Sequence, residues 1–315
     1  MTESSAPLQV LRVIDDRPGH WAQSAGLAAA LGRYTATAIN EWPAQLATTA
    51  LRSFLCRGVL IGQRTAVAAP DLILCCGHQT HLTGLALRRH LGGRLIALMT
   101  PSLPLAWFDL VIAPAHDAPS PRNNLMCSEG ALNNMTAAGT HDPDRGVILI
   151  GGPSSHYGWD SSALLRQLRM VVERDPGRHW TLSTSRRTPL ATATALASLN
   201  QANLTVVPLE QTGPAWVASQ LAGASCAWIS EDSVSMVYEA LTAGATVGIL
   251  EVPRKRRGRV VEGMERLCQA RRAVRWTDWV AGAPMLVPIP LAEADRAAQE
   301  ILGRWFPERL TMDAV

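Results

Sequence analysis

Short apolar runs alternate with longer stretches of helical periodicity almost from end to end of the 315-residue chain. That rhythm constrains the fold more than any other feature of the sequence. Strands of a parallel sheet are covered on both faces and so read as nearly continuous apolar runs, and each needs a crossover, usually a helix, before the next. Leu8 to Ile14 reads as such a strand, followed by a turn through Asp15, Asp16, Arg17, Pro18 and Gly19 and an alanine-rich helix over 20–31. Further strands are predicted over 35–39, 71–75, 94–98 and 109–113, with a helix over 80–90. Residues 137–146 are small and polar and hold Asp142, Pro143 and Asp144, so they read as the crossing between two domains. The rhythm then restarts: strands over 147–150, 180–184, 204–207, 226–230 and 246–250, with helices over 161–173, 190–201, 215–222 and 233–243. A last apolar-periodic stretch over 291–306 predicts a terminal helix packing back on the first domain. The expected fold is α/β, two doubly wound parallel-sheet domains spanning 1–140 and 141–315, as the length of the chain also suggests.

Hydrophobic residues at 47% and charged residues at 17% provide for two buried cores and exclude a disordered chain. A net charge of only +3 is too small for a duplex-binding surface, so nucleic acid is not an expected partner. The six cysteines, Cys56, Cys75, Cys76, Cys127, Cys226 and Cys268, form no C-x-x-C pair and read as buried thiols in a reducing compartment. The sequence lacks a cationic leader followed by an apolar stretch and any run of about 20 apolar residues, which places the expected protein in the cytoplasm, free or at a membrane surface.

In open parallel sheets ligands bind beyond the carboxyl ends of the strands, so the residues just after each strand are the candidates for chemistry. Gly151, Gly152 and Ser154 follow the strand at 147–150, where bare backbone N–H groups can approach a diphosphate; a tight βα turn also calls for Gly-Gly. Ser185, Arg186 and Arg187 end the next strand and could clamp the same diphosphate, or be a solvated pair. Asp232, Ser233 and Ser235 open a helix whose free N–H groups and positive dipole end suit phosphate oxygens, and Glu239 further along could reach a ribose diol. The alternative there is an ordinary helix cap. In the first domain Asp16 and His20, with His116 and Asp117 after the strand at 109–113, are candidate general bases for an acceptor hydroxyl. Arg254, Lys255, Arg256, Arg257 and Arg259 form a basic run that reads as a solvated face, or as a contact for an anionic ligand or anionic lipid. G-x-G-x-x-G after a strand, G-x-x-x-x-G-K-[ST] and G-x-S-x-G are all missing, which counts against dehydrogenases, P-loop enzymes and α/β-hydrolases.

Four stretches in order resemble one family over nearly the whole chain, the bacterial relatives of the plant elongated-mitochondria fission protein. Asp15 to His20 with Gln23 resembles that family's D-G-[KR]-P-G-H-x-x-Q opening, except that Asp16 stands where glycine is expected. Residues 151–160 (GGPSSHYGWD), 185–189 (SRRTP) and 232–240 (DSVSMVYEA) resemble its later motifs. The resemblance implies a GT-B-like fold with an interdomain cleft, and a metal-independent glycosyltransferase that takes its sugar from a nucleotide diphosphate. No cofactor is implied beyond that donor substrate. Implied partners are a glycan or lipid-linked acceptor in cell-surface glycan assembly of lipopolysaccharide or capsule type. The charge of the basic run adds an expected peripheral contact to the inner membrane through Arg254, Lys255, Arg256 and Arg257. Asp142 and Asp144 also spell the D-x-D of metal-dependent sugar transferases, but between turn residues the pattern reads as a loop, and no metal is expected. Two other readings share the fold: a non-enzymatic interaction protein, as the plant branch implies, and a sugar-nucleotide epimerase.

Overall fold

The computed structural model describes residues 6–55, 68–117, 120–137, 140–213, 215–289 and 291–310. Cys56 and the side chain of His116 lie outside the described parts. The chain divides into two compact units, Met1–Asn134 together with Glu293–Val315, and Met135–Ala292. The division therefore falls after Asn134 rather than at 140/141. Met135 already packs in the core of the second unit, and 293–315 belongs to the first rather than to the second.

The first unit contains β1 (Leu8–Ile14), α1 (Pro18–Tyr34), β2 (Thr37–Pro43), α2 (Ala47–Leu55), β3 (Leu72–Cys76), α3 (His78–Leu91), β4 (Arg94–Leu98), β5 (Leu110–Pro114) and β6 (Leu125–Ser128). From the far end of the chain it takes α10 (Glu293–Trp305). Its six strands are all parallel in the order β2-β1-β3-β4-β5-β6. Alternate residues of each strand serve opposite faces, as the pleat requires. Leu8, Val10, Leu72, Leu74, Ile96, Leu98, Leu110 and Ile112 face α1 and α10, whereas Leu11, Val13, Ile73, Cys75, Leu95, Ala97 and Val111 share a cluster with Leu85 and Leu87 of α3.

The second unit contains β7 (Asp142–Ile150), α4 (Ser161–Arg174), β8 (His179–Thr184), α5 (Leu190–Ala197), β9 (Leu204–Val207), α6 (Trp216–Gly223), β10 (Ala224–Ser230), α7 (Val234–Ala243), β11 (Thr246–Leu250), α8 (Arg259–Gln269), β12 (Val274–Arg275) and α9 (Trp276–Val280). Strand order is β12-β11-β10-β7-β8-β9, again all parallel. Val147, Leu149, Ala227, Ile229, Val247 and Ile249 pack toward α7 and α8, while Ile148, Ile150, Leu182 and Trp228 pack toward α4.

Six elements depart from the sequence expectation. β7 begins at Asp142, inside the stretch read as a crossing, because that stretch pairs with the starts of β8 and β10. α2, β6, β12 and α9 were not foreseen, and neither was α8, which opens on Arg259 within the basic run. Among the described residues no helix is long and apolar enough to cross a membrane.

Candidate functional site

In a doubly wound sheet the crevice forms where strand order reverses, because the helices on either side of that point depart to opposite faces. The reversal lies between β7 and β10 in the second unit and between β1 and β3 in the first.

At the β7/β10 reversal the Asp232 carboxylate, fully buried, organises the loops. Its Oδ2 accepts the Gly152 N–H at 2.9 Å, pairs with Arg187 Nη2 at 2.8 Å and lies 3.3 Å from the Ser233 hydroxyl that donates to it. Its Oδ1 accepts the Ser230 hydroxyl at 2.8 Å, and Ser230 Oγ in turn accepts the Gly151 N–H at 2.7 Å. Arg187 also donates to the Gly152 carbonyl at 2.7 Å. The two glycines are needed for close approach. A Cβ on Gly151 would stand 2.2 Å from Asp232 Oδ2, and one on Gly152 would stand 2.0 Å from the Arg187 carbonyl oxygen. The N–H groups that the sequence offers to a diphosphate are thus spent inside the protein, and Arg187, though still exposed, is held on Asp232. Ser154 and Ser185 are engaged in their own turns: Ser154 Oγ accepts the Tyr157 N–H at 3.1 Å and Ser185 Oγ accepts that of Arg187 at 3.3 Å.

Arg186 remains exposed, and so does the mouth of α7. Ser233 is the cap residue, but its hydroxyl is turned to Asp232, so no side chain caps the first turn of the helix. Ser235 in that turn is exposed. Glu239 stands four residues further on, hence on the same helix face. Its carboxyl has no hydrogen bond or ion pair among the described residues, and burial raises its pKa to about 7.

Glu231, which precedes Asp232 at the end of β10, is legible in sequence as part of that strand end, but its ion pairs are not. Its buried carboxylate pairs with Arg254 Nη2 at 2.7 Å and Arg275 Nη1 at 3.1 Å. Arg254 also meets Glu265 at 2.6 Å, and Lys255 Nζ donates to the Ser154 carbonyl at 2.9 Å. The backbone ties the same two segments together, with the Lys255 N–H on His156 O and the Gly158 N–H on Pro253 O. The first two members of the basic run therefore brace the 151–158 loop, while Arg256 and Arg257 stay exposed. The Tyr157 hydroxyl is buried beside them without a partner, and burial, reinforced by Glu231, pushes its pKa up.

At the β1/β3 reversal Asp15, not Asp16, is the engaged carboxylate. Its Oδ2 lies 2.8 Å from His20 Nδ1 and its Oδ1 accepts the Arg17 N–H at 3.1 Å, whereas Asp16 is exposed. Asp16 keeps negative φ, so the position does not demand the glycine of the family pattern. The His20 ring lies against Gly77, whose φ is +83° and where a Cβ would come within 2.1 Å of the ring. α3 then presents two histidines that the sequence reading passed over, His78 and His81. His81 is buried with neither ring nitrogen partnered, and burial, aided by His78 and His20, lowers its pKa to about 4. The signal available was their place directly after β3 at the start of a helix. Asp117 accepts the Thr100 hydroxyl at 2.9 Å. Asp142 and Asp144 lie at the opposite end of β7 from Gly151, with the Asp144 N–H donating to Asp142 Oδ1 at 2.9 Å. Among the described residues no group of three or more His, Cys, Asp or Glu could hold a metal ion.

Two Rossmann-like units, each a six-stranded parallel sheet with flanking helices, define the class: this is the GT-B-like fold of glycosyltransferases and sugar-nucleotide epimerases. The chain belongs to the mitochondrial fission ELM1 family, whose model matches residues 18–305. It is similar to the uncharacterized protein RP120 of Rickettsia prowazekii, 24% identical over 297 residues, covering 76% of this chain and 82% of that one. Among solved structures it resembles a Listeria monocytogenes protein provisionally assigned as a UDP-N-acetylglucosamine 2-epimerase. The TM-score is 0.57 at 14% identity, covering 96% of this chain and 98% of that one. It also resembles the calicheamicin glycosyltransferase CalG4, with a TM-score of 0.52 at 13% identity over 96% and 100% of the two chains.

Proposed function

We propose that the second unit binds a nucleotide-diphosphate sugar at the β7/β10 reversal and that the chain transfers the sugar to an acceptor hydroxyl. One observation carries this reading: the uncapped first turn of α7 and the unpartnered Glu239 carboxyl share one helix face. Free N–H groups at a helix start attract phosphate oxygens, and a desolvated carboxylate one turn further suits a ribose diol, whose hydroxyls would satisfy it. Arg186 and the helix end supply positive charge to the departing diphosphate, which is preorganised electrostatic stabilisation of the leaving group. His20 is the candidate base. Asp15 holds its Nδ1 and would stabilise the imidazolium formed when Nε2 takes the acceptor proton. The setting we propose is cell-surface glycan assembly on the cytoplasmic side of the inner membrane, with a glycan or lipid-linked acceptor and with Arg256 and Arg257 free to meet anionic lipid.

A second reading, an interaction protein that has lost turnover, is favoured by one feature: the Gly152 N–H and Arg187 are already engaged by Asp232, and the Gly151 N–H by Ser230. A third, epimerisation of the donor, is supported by likeness of fold to the Listeria protein.

Thermal denaturation with a panel of nucleoside diphosphates and nucleotide sugars, with and without Mg²⁺, tests the first reading. At a hundredfold excess over Kd a ligand adds about 2.7 kcal/mol to stability. A metal-independent shift with one nucleotide class, lost in Glu239→Gln and weakened in Arg186→Ala, is the expected result. Silence across the panel would put the interaction protein first, and a changed sugar without acceptor would identify the epimerase.

A further inference from the structure

The chain holds ten tryptophans against three phenylalanines and three tyrosines. Three of the tryptophans wall a cavity of about 330 Å³ at the amino-terminal ends of the second sheet's strands, opposite the ends that carry the reversal-point residues. Trp180 of β8 and Trp228 of β10 are both buried, and Trp279 of α9 meets the Trp228 ring edge-on at 5.1 Å between centroids. Val171, Cys226 and Met285 complete the apolar wall.

Two features of the sheet show how the two strand indoles are seated. Trp180 pairs across strands with Gly146 of β7, and Trp228 with Gly248 of β11. At each glycine a Cβ would stand 2.4 Å from the carbons of its partner indole. Glycine inside a strand is unfavourable and marks a close approach of another group, and here β7 and β11, which flank β10, accept it so that two indoles can lie against the backbone.

The polar groups of the wall are already occupied by one another. Asp175 Oδ2 pairs with Arg178 Nε at 2.7 Å. Arg178 Nη1 donates to the carbonyls of Pro143 at 2.6 Å and Arg145 at 3.2 Å, and to Ser225 Oγ. Thr246 donates to the Ser225 carbonyl at 3.0 Å. The carboxylate and the guanidinium of the wall neutralise one another, so the wall carries no net charge for an ionic ligand, and no set of hydroxyls or amides is left to read a sugar. The Trp180 Nε1–H is buried without a partner among the described residues.

From this we infer a second binding site, separate from the nucleotide site, for a small, flat, uncharged aromatic molecule. Indole faces and edges recognise such a ring by stacking and edge contacts. Because β10 carries both Cys226 of the wall and Ser230, that part of the wall lies roughly 13 Å along the strand from the reversal point, at about 3.3 Å per residue.

Coumarin, neutral and flat with one carbonyl, is the probe, titrated into the full-length protein and followed by saturation-transfer NMR and tryptophan fluorescence. Saturable binding that UDP does not displace is expected. Met285→Trp, which fills the cavity from an irregular segment, should weaken binding at least tenfold. Coumarin-3-carboxylate should bind at least tenfold more weakly than coumarin. Absence of binding, displacement by UDP, unchanged affinity in a folded Met285→Trp protein, or equal affinity for the carboxylate would each overturn the assignment.

Discussion

Glu239 is a largely buried carboxyl with no hydrogen bond or ion pair among the described residues. Its pKa rises from 4.5 to about 7 through burial, so the folded protein holds the proton more tightly than the unfolded chain does. Stability therefore falls as pH climbs between those two values, and the full cost is present above them. Glu239→Gln is predicted to match the parent protein near pH 4.5 and to exceed it at pH 8, by up to about 3 kcal/mol at about 1.4 kcal/mol per pKa unit. Chemical denaturation of both proteins across that range checks it, and a pH-independent difference would remove the unpaired carboxylate from the account. Gly152 gives a second prediction at this scale. A methyl group there meets the Arg187 backbone, so Gly152→Ala should cost about 1–3 kcal/mol, read as a lowered midpoint of denaturation.

At the scale of loops and strands, Asp232 joins three segments that are far apart in sequence: the turn after β7, the turn after β8 and the start of α7. Asp232→Ala leaves Arg187 and two buried hydroxyls without their acceptor, at a cost of about 3–5 kcal/mol. Hydrogen exchange should speed up in all three segments together rather than only beside residue 232. Such knots are what sequence reading reaches least well. The bounds of β1, β4, β9 and β11 match their apolar runs because Leu, Val and Ile in a covered strand need no tertiary information to be recognised. Placement after a strand marked Gly151, Arg186, Asp232 and His20 for the same local reason. Which donor meets which acceptor was hidden, since Gly152 and Asp232 are 80 residues apart and only the fold brings them to 2.9 Å. Thus the sequence could present Gly152 as an open phosphate donor, and the pairing of His20 with Asp15 rather than Asp16 turned on side-chain direction. α8 stayed hidden because its first residue sits in a run of five basic side chains that looks like a surface loop.

For the whole molecule, the decisive fact is that one unit is continuous in sequence and the other is not. Residues 135–292 hold a complete sheet with both faces covered, whereas the first sheet depends on α10, whose Ala294, Ala297, Ala298, Ile301 and Leu302 are buried against Leu27, Leu31 and Ile112. An excised 135–292 fragment is predicted to unfold cooperatively and to keep any nucleotide-induced stabilisation. A 1–134 fragment should show no cooperative transition until a 293–315 peptide is supplied. Calorimetry of the two fragments tests both statements. The same arrangement sets an order of events during translation. The amino-terminal half leaves the ribosome first, yet it lacks the helix that covers one face of its sheet until the final stretch of chain has emerged. The unit encoded second can close while the unit encoded first still exposes Leu, Val and Ile side chains, so this protein matures from its middle outward and its nascent amino-terminal half is the part most in need of a chaperone.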